Sequence, residues 1–244
     1  MKFSVCSDKG KIREINEDSY NVIAGYPGIP VSFIIADGMG GHNSGEIASK
    51  MAVDSISSFI LQYAERFVNE EVISEAIMEA VKKANEEIYT EAAQHKSNSG
   101  MGTTLTVAVI NNKKIYIGHV GDSRAFLIRN NEMTLLTTDH TYIEELVKNG
   151  SITREEALSH PKKNVLVRAV GCEENINVDI YVYDIQEGDI CLLCTDGLTN
   201  MLSENELLDI VKSSEDPEYI CKELVNNANI RGGEDNITVI VVQA

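Results

Sequence analysis

Residues 103–120 read TTLTVAVINNKKIYIGHV, an apolar and β-branched run, then Asn111, Asn112 and Lys113, then a second such run. Two strand-type runs joined by Asn-rich turn chemistry predict an antiparallel hairpin. The pattern repeats at once, with 124–128 and 133–137 flanking Asn130-Asn131, so the middle third reads as a β-meander. Upstream, strands are expected at 3–7, 19–24 and 31–36, the last two separated by Tyr26-Pro27-Gly28-Ile29-Pro30. Apolar residues then recur at helical spacing over 44–67 (Ile47, Met51, Ile56, Ile60) and 72–93 (Ile73, Ile77, Ala80, Ala84, Ile88). Over 141–163 the strand pattern stops. Two short helical pieces, 142–148 and 154–159, are joined by Asn149-Gly150 and closed by His160-Pro161, which reads as an inserted flap. Strands return at 177–183 and 189–195, followed by helices at 204–212 and 217–228 and a last strand at 237–242. Hairpins outnumber the crossovers that a parallel sheet needs, so the expected class is α+β on antiparallel sheets. No linker, repeat or low-complexity stretch interrupts residues 1–244, and one domain is expected.

The 244 residues carry 21 basic and 38 acidic side chains, a formal net charge of −17. That balance repels phosphate backbones and anionic lipid heads, and no local basic patch offsets it, so neither nucleic acid nor a membrane surface is an expected partner. Ordinary apolar (43%) and charged (24%) content excludes a disordered chain. No apolar run approaches the roughly 18 residues of a membrane span, and the first residues turn polar too early for a secretory signal. Five scattered cysteines suit reduced thiols. Cys191 and Cys194 form a CxxC, but residues three apart on a strand face opposite ways, so two buried apolar side chains are expected rather than a redox pair. A cytoplasmic location follows.

Four aspartates share one kind of position. Asp37 ends a strand before Gly38, Asp122 follows Gly121 at a strand end, Asp196 ends a strand before Gly197, and Asp235 opens the last strand. Asp-Gly alone also marks turns. Four such carboxylates together, each on a rigid strand end beside a tight turn, suit a hard cation such as Mg²⁺ or Mn²⁺, which needs few protein oxygens. Upstream, Arg13 precedes Asn16-Glu17-Asp18, where a planar guanidinium could bind a substrate oxyanion while Asp18 orders a water.

These residues resemble the PPM/PP2C family of metal-dependent protein serine/threonine phosphatases, in its bacterial form. Eight blocks occur in the family's order: Arg13-xx-Asn16-Glu17-Asp18-Ser19, Asp37-Gly38-Met39-Gly40-Gly41-His42, Gly102-Thr103-Thr104, Gly121-Asp122-Ser123-Arg124, Asp139-His140, Arg168-Ala169-Val170-Gly171, Thr195-Asp196-Gly197-Leu198 and Glu234-Asp235-Asn236. The resemblance implies a PP2C-like sandwich of two antiparallel sheets flanked by helix pairs. It implies that Asp37 bridges two core ions, with the Gly38 carbonyl on one and Asp196 and Asp235 on the other, and that Asp122 with Asp196 holds a third. Arg13 would clamp the phosphate, Asp18 would assist from behind the ions, and a metal-bridging hydroxide would attack the phosphomonoester directly. Met39 stands where eukaryotic relatives place a histidine, so His42 becomes the candidate acid for the leaving oxygen; a plain loop hydrogen bond is its other reading. His140 is expected to brace the base of the flap, and His119 to be structural. Implied partners are phosphorylated proteins, including a Ser/Thr kinase and its substrates, met by a monomer. The flap is expected to help select among them. Two other functions remain in view: a phosphatase dedicated to one sigma-factor circuit, and a silent phosphoprotein-binding scaffold, which would not need a complete carboxylate set.

Overall fold

The computed structural model describes residues 1–40, 44–158 and 160–244 of the protein. One sheet runs in the order β1 (Lys2–Asp8), β11 (Ile237–Gln243), β10 (Ile190–Cys194), β7 (Arg124–Arg129), β8 (Glu132–Leu135). The other runs β2 (Asp18–Ile23), β3 (Val31–Met39), β5 (Leu105–Asn111), β6 (Lys114–Val120), β9 (Asp179–Asp184), with β4 (Gly102–Thr103) paired to the end of β3. Every strand pairing is antiparallel.

Alternation along the strands builds three apolar layers. On β3, Phe33 and Ile35 enter a core shared with Leu193, Ile240 and Val242 of the other sheet. Their neighbours Ile34 and Ala36 point the other way, into a core with helices α1 (Gly45–Gln62) and α3 (Ile73–Gln94). On β11, Ile240 and Val242 lie between the sheets while Val239 and Val241 face α7 (Glu204–Lys212) and α8 (Pro217–Ile230). Central strands such as β3 and β11 are therefore covered on both faces, which explains why they carry consecutive apolar residues instead of an apolar–polar alternation. Cys191 and Cys194 sit in different layers, and all five cysteines are free. No helix among the described residues is long and apolar enough to cross a membrane.

Some boundaries differ from the sequence expectation. The helix expected over 44–67 breaks at Tyr63 (φ −119, ψ 41), and a short α2 (Ala64–Val68) re-aims Phe67 so that its ring meets Phe59 edge-on at 6.2 Å. Asp37 does not end its strand, because β3 continues to Met39. Asp196 opens a single helical turn, α6 (Asp196–Thr199), since β10 stops at Cys194. Asp235 lies ahead of β11, because the Asn236 side chain binds the chain at Lys9, Ile15 and Glu17 instead of continuing the ladder. Over the expected flap, α4 (Tyr142–Lys148) and α5 (Arg154–Leu158) form, and Thr141 and Leu166 bridge beneath them.

Candidate metal centre

The register of β2 on β3 places Asp18 directly opposite Asp37. Asp37 is held by its backbone: its N–H donates to Thr104 Oγ1 (2.9 Å), and its carbonyl accepts from Thr103 Oγ1 (2.8 Å) and the Thr104 amide (2.9 Å). Thr104 Oγ1 also meets Ser123 Oγ at 2.7 Å, which ties the segment carrying Asp122 to the same strand end. Beyond Asp37 the chain must pass backbone against backbone. A methyl on Gly38 would collide with the Gly45 carbonyl and lie 2.6 Å from that of Glu17, so only glycine fits. Gly38→Ala is expected to cost about 2 kcal/mol or more of stability, read as a lower urea midpoint; an unchanged midpoint would show that α1 can move aside.

Asp18 is held from the opposite sheet. Its Oδ2 accepts from Thr238 Oγ1 (2.7 Å) on β11 and Thr195 Oγ1 (2.9 Å) after β10, while its Oδ1 is buried without a hydrogen-bond partner. Asp196 repeats the arrangement, with Asn200 Nδ2 donating to Oδ2 (2.9 Å) and Oδ1 buried without a partner. Asp235 is the more exposed member; Arg13 Nη2 donates to its Oδ2 at 2.8 Å, and the Asn236 amide donates to its Oδ1. Arg13 itself is half-exposed and also approaches Glu17.

Mutual repulsion adds to burial across this cluster. Burial and the charges of Asp18, Asp196, Asp122 and Asp235 push Asp37 well above the ordinary carboxylate range. Asp18 is pushed up to about 7, chiefly by burial and against the pull of its two threonine hydroxyls. Asp122 is pushed up to about 8 by burial, then by Asp196 and Asp139. Asp196 is raised by burial and then by Asp235. Arg13 on Asp235 and Arg124 near Asp122 and Asp196 offset only part of this charge. Orphaned buried oxygens on Asp18 and Asp196, with hard oxygen donors throughout, fit divalent ions of the Mg²⁺ or Mn²⁺ type. Among the described residues no three side chains already surround a single point at coordination distance, so the donors would draw in on binding.

A groove of about 460 Å³ leads from Asp122 and Asp196 past Arg124 and Asp139 toward Arg154 and Lys163 on the far side. Arg124 is clamped by Asp139 in a two-pronged pair (Nη2 to Oδ2, 2.6 Å), so it is not free for a ligand. His42 lies outside the described residues. His119 is buried with Nδ1 on Thr106 Oγ1, and burial pushes it down to about 3, so it is neutral.

Sequence reasoning named every carboxylate that converges here but gave no role to Thr104, Ser123, Thr195 or Thr238. The first three fall inside the motif blocks; Thr238, a lone hydroxyl in the run ITVIVVQ, carries no signal beyond being polar in a buried strand.

The chain resembles known proteins along nearly all of its length. The family model described as Protein phosphatase 2C matches residues 11–223. The serine/threonine phosphatase stp of Listeria monocytogenes serovar 1/2a is 40% identical over 237 residues, covering 97% of this chain and 93% of the relative. The protein phosphatase PhpP of Streptococcus pneumoniae is 41% identical over 243 residues, covering 99% and 97%. Among solved structures, the S. agalactiae serine/threonine phosphatase superposes with a TM-score of 0.93 at 37% identity, covering 100% of this chain and 99% of that one. The catalytic domain of the phosphatase PstP, solved with 2 manganese ions, superposes with a TM-score of 0.84 at 31% identity, covering 99% and 97%. With the family's model matching residues 11–223 and relatives about 40% identical along nearly all of it, the chain belongs to the protein phosphatase 2C family.

Proposed function

We propose that this chain hydrolyses phosphoserine and phosphothreonine esters in proteins, with divalent ions at the aspartate cluster. The observation that carries the reading is the convergence of Asp18, Asp37, Asp122, Asp196 and Asp235, with unpaired buried oxygens on Asp18 and Asp196 and raised carboxyls at Asp18, Asp37, Asp122 and Asp196. Two core ions, Mn²⁺ or Mg²⁺, would be held by Asp37, the Gly38 carbonyl, Asp196 and Asp235, and a third by Asp122 with Asp196. Bound there, such ions supply a Lewis acid that makes water nucleophilic near neutral pH and neutralises phosphate charge.

The chain's own groups do the rest. Arg13 offers a planar guanidinium to two phosphate oxygens, exchanging its contact with Asp235 for one with substrate. Asp18, with Oδ2 fixed by two hydroxyls, keeps Oδ1 to accept a hydrogen bond from the attacking water. His42 donates a proton to the departing serine or threonine oxygen. The groove past Arg154 and Lys163 receives the polypeptide around the phosphoresidue, and the segment 141–163 selects among substrates. The partners are phosphoproteins, among them a Ser/Thr kinase and its targets. The chain acts as one domain over residues 1–244 and as a monomer, and its five free thiols suit the cytoplasm.

The test is hydrolysis of a phosphothreonine peptide in EDTA, Mg²⁺ and Mn²⁺. Turnover that depends on added ion is expected, with Arg13→Ala raising KM about tenfold or more while Arg13→Lys recovers only part, because a point charge cannot pair two oxygens. Full turnover in EDTA would refute the reading.

A further inference from the structure

Gly121 carries Asp122 in a backbone conformation with φ +109, which side chains rarely adopt, and its φ alone does not fix where the carboxylate points. His140 grips this residue at both main-chain atoms. Its backbone N–H donates to the Gly121 carbonyl at 2.8 Å, and its ring Nδ1 accepts from the Gly121 amide at 3.0 Å. An amide can only donate, so Nδ1 is the unprotonated nitrogen and Nε2 carries the hydrogen. Nε2 then donates to Asp179 Oδ2 at 3.1 Å, while Arg168 Nη1, itself 3.1 Å from Nε2 and unable to bond a protonated nitrogen, donates to the other oxygen of Asp179 at 2.7 Å. The ring is 5% exposed, which leaves water little access to replace the bond. Asp139, the preceding residue, clamps Arg124 at the other end of the same short turn.

We propose that His140 is the positioning residue for Asp122, its neutral Nε2–H tautomer setting the Gly121 peptide and thereby aiming the Asp122 carboxylate at an ion shared with Asp196. The proposal rests on the ion-binding reading of Asp122 given above. Residues that orient ligands in this way typically change metal affinity about 10- to 100-fold when lost.

Two near-isosteres separate the ring's two bonds. The amide oxygen of asparagine occupies the place of Nδ1 and can still accept from Gly121, whereas glutamine reaches the place of Nε2 and keeps only Asp179. Mn²⁺ binding by the purified full chain, read from the paramagnetic resonance of free Mn²⁺, is measured alongside phosphopeptide turnover and a thermal melt. His140→Asn is expected to keep the weakest Mn²⁺ affinity within about threefold, and His140→Gln to weaken it about tenfold. Asp122→Asn should weaken it as well, and adding His140→Gln to that variant should change nothing further. Wild-type binding in His140→Gln, equal losses in both His140 variants, or a further loss in the double variant would overturn the positioning role. If Asp122→Asn itself binds like wild type, the Asp122 part of the ion assignment falls and this proposal with it, while the phosphatase reading, tested by ion-dependent turnover in wild type, stands apart. Should His140→Gln not fold, lost affinity in folded His140→Asn overturns the proposal and retained affinity supports it.

Discussion

Asp37→Asn is expected to reduce ion-supported hydrolysis of a phosphothreonine peptide about 1,000-fold, some 4 kcal/mol of barrier at about 1.4 kcal/mol per tenfold. Asparagine keeps the volume and the backbone bonds to Thr103 and Thr104, so the fold should survive. It removes a carboxyl that the ions of the proposed centre must share, and an amide oxygen cannot supply the missing charge. The same substitution relieves the repulsion that Asp18, Asp196, Asp122 and Asp235 impose on this position. In EDTA the variant should therefore unfold at a higher urea concentration than wild type, while in Mn²⁺ the order reverses, because wild type alone gains full binding energy. Activity above a tenth of wild type, or a metal-free variant less stable than wild type, would remove Asp37 from the centre.

The metal-free wild type should lose stability as pH rises. Asp18 and Asp122 have folded values raised to about 7 and about 8, above the ordinary carboxylate value they regain on unfolding. A raised folded value means that the folded chain holds the proton more tightly. Its stabilising effect is complete below the unfolded value and is lost as pH climbs through the folded one. His119 and His140, both lowered, act in the opposite sense, costing stability only as pH falls through the ordinary histidine range. Between pH 6.5 and 8.5 the carboxylates therefore dominate, and the loss in EDTA is about 2 to 3 kcal/mol at about 1.4 kcal/mol per unit. Saturating Mn²⁺ should flatten the slope, since bound cations replace the protons these carboxyls hold. Urea midpoints at the two pH values, with and without Mn²⁺, check this; a flat profile in EDTA would mean that the carboxylates are not strained without ions.

Much of the fold was legible because its two sheets are each covered on both faces. That arrangement writes consecutive apolar residues within strands, as at 33–36 and 239–242, and the connecting turns announce themselves through asparagines: Asn112, Asn130 and Asn131 all adopt positive φ. The break at Tyr63 was not legible, since apolar spacing continues across it and only the dihedrals of one residue interrupt the helix. In the site, carboxylates beside glycines stood out as chemistry. The hydroxyls that hold them did not, because threonine in a strand is unremarkable by propensity and its partners lie far off: Thr195 and Thr238 reach Asp18 across 177 and 220 residues. The pairing of Arg13 with Asp235, 222 residues away, was equally hidden.

The position of β11 between β1 and β10 bears on synthesis. A ribosome delivers Asp18, Asp37 and Asp122 early, yet Thr238, one of the two hydroxyls holding Asp18, and Asp235 arrive only with the final strand. Until residues up to Gln243 have emerged, β1 has no inner neighbour and the acidic cluster lacks Asp235. Until β11 joins them, β1 and β10 stand as open edges, and pairing of such sequence-distant strands is slow.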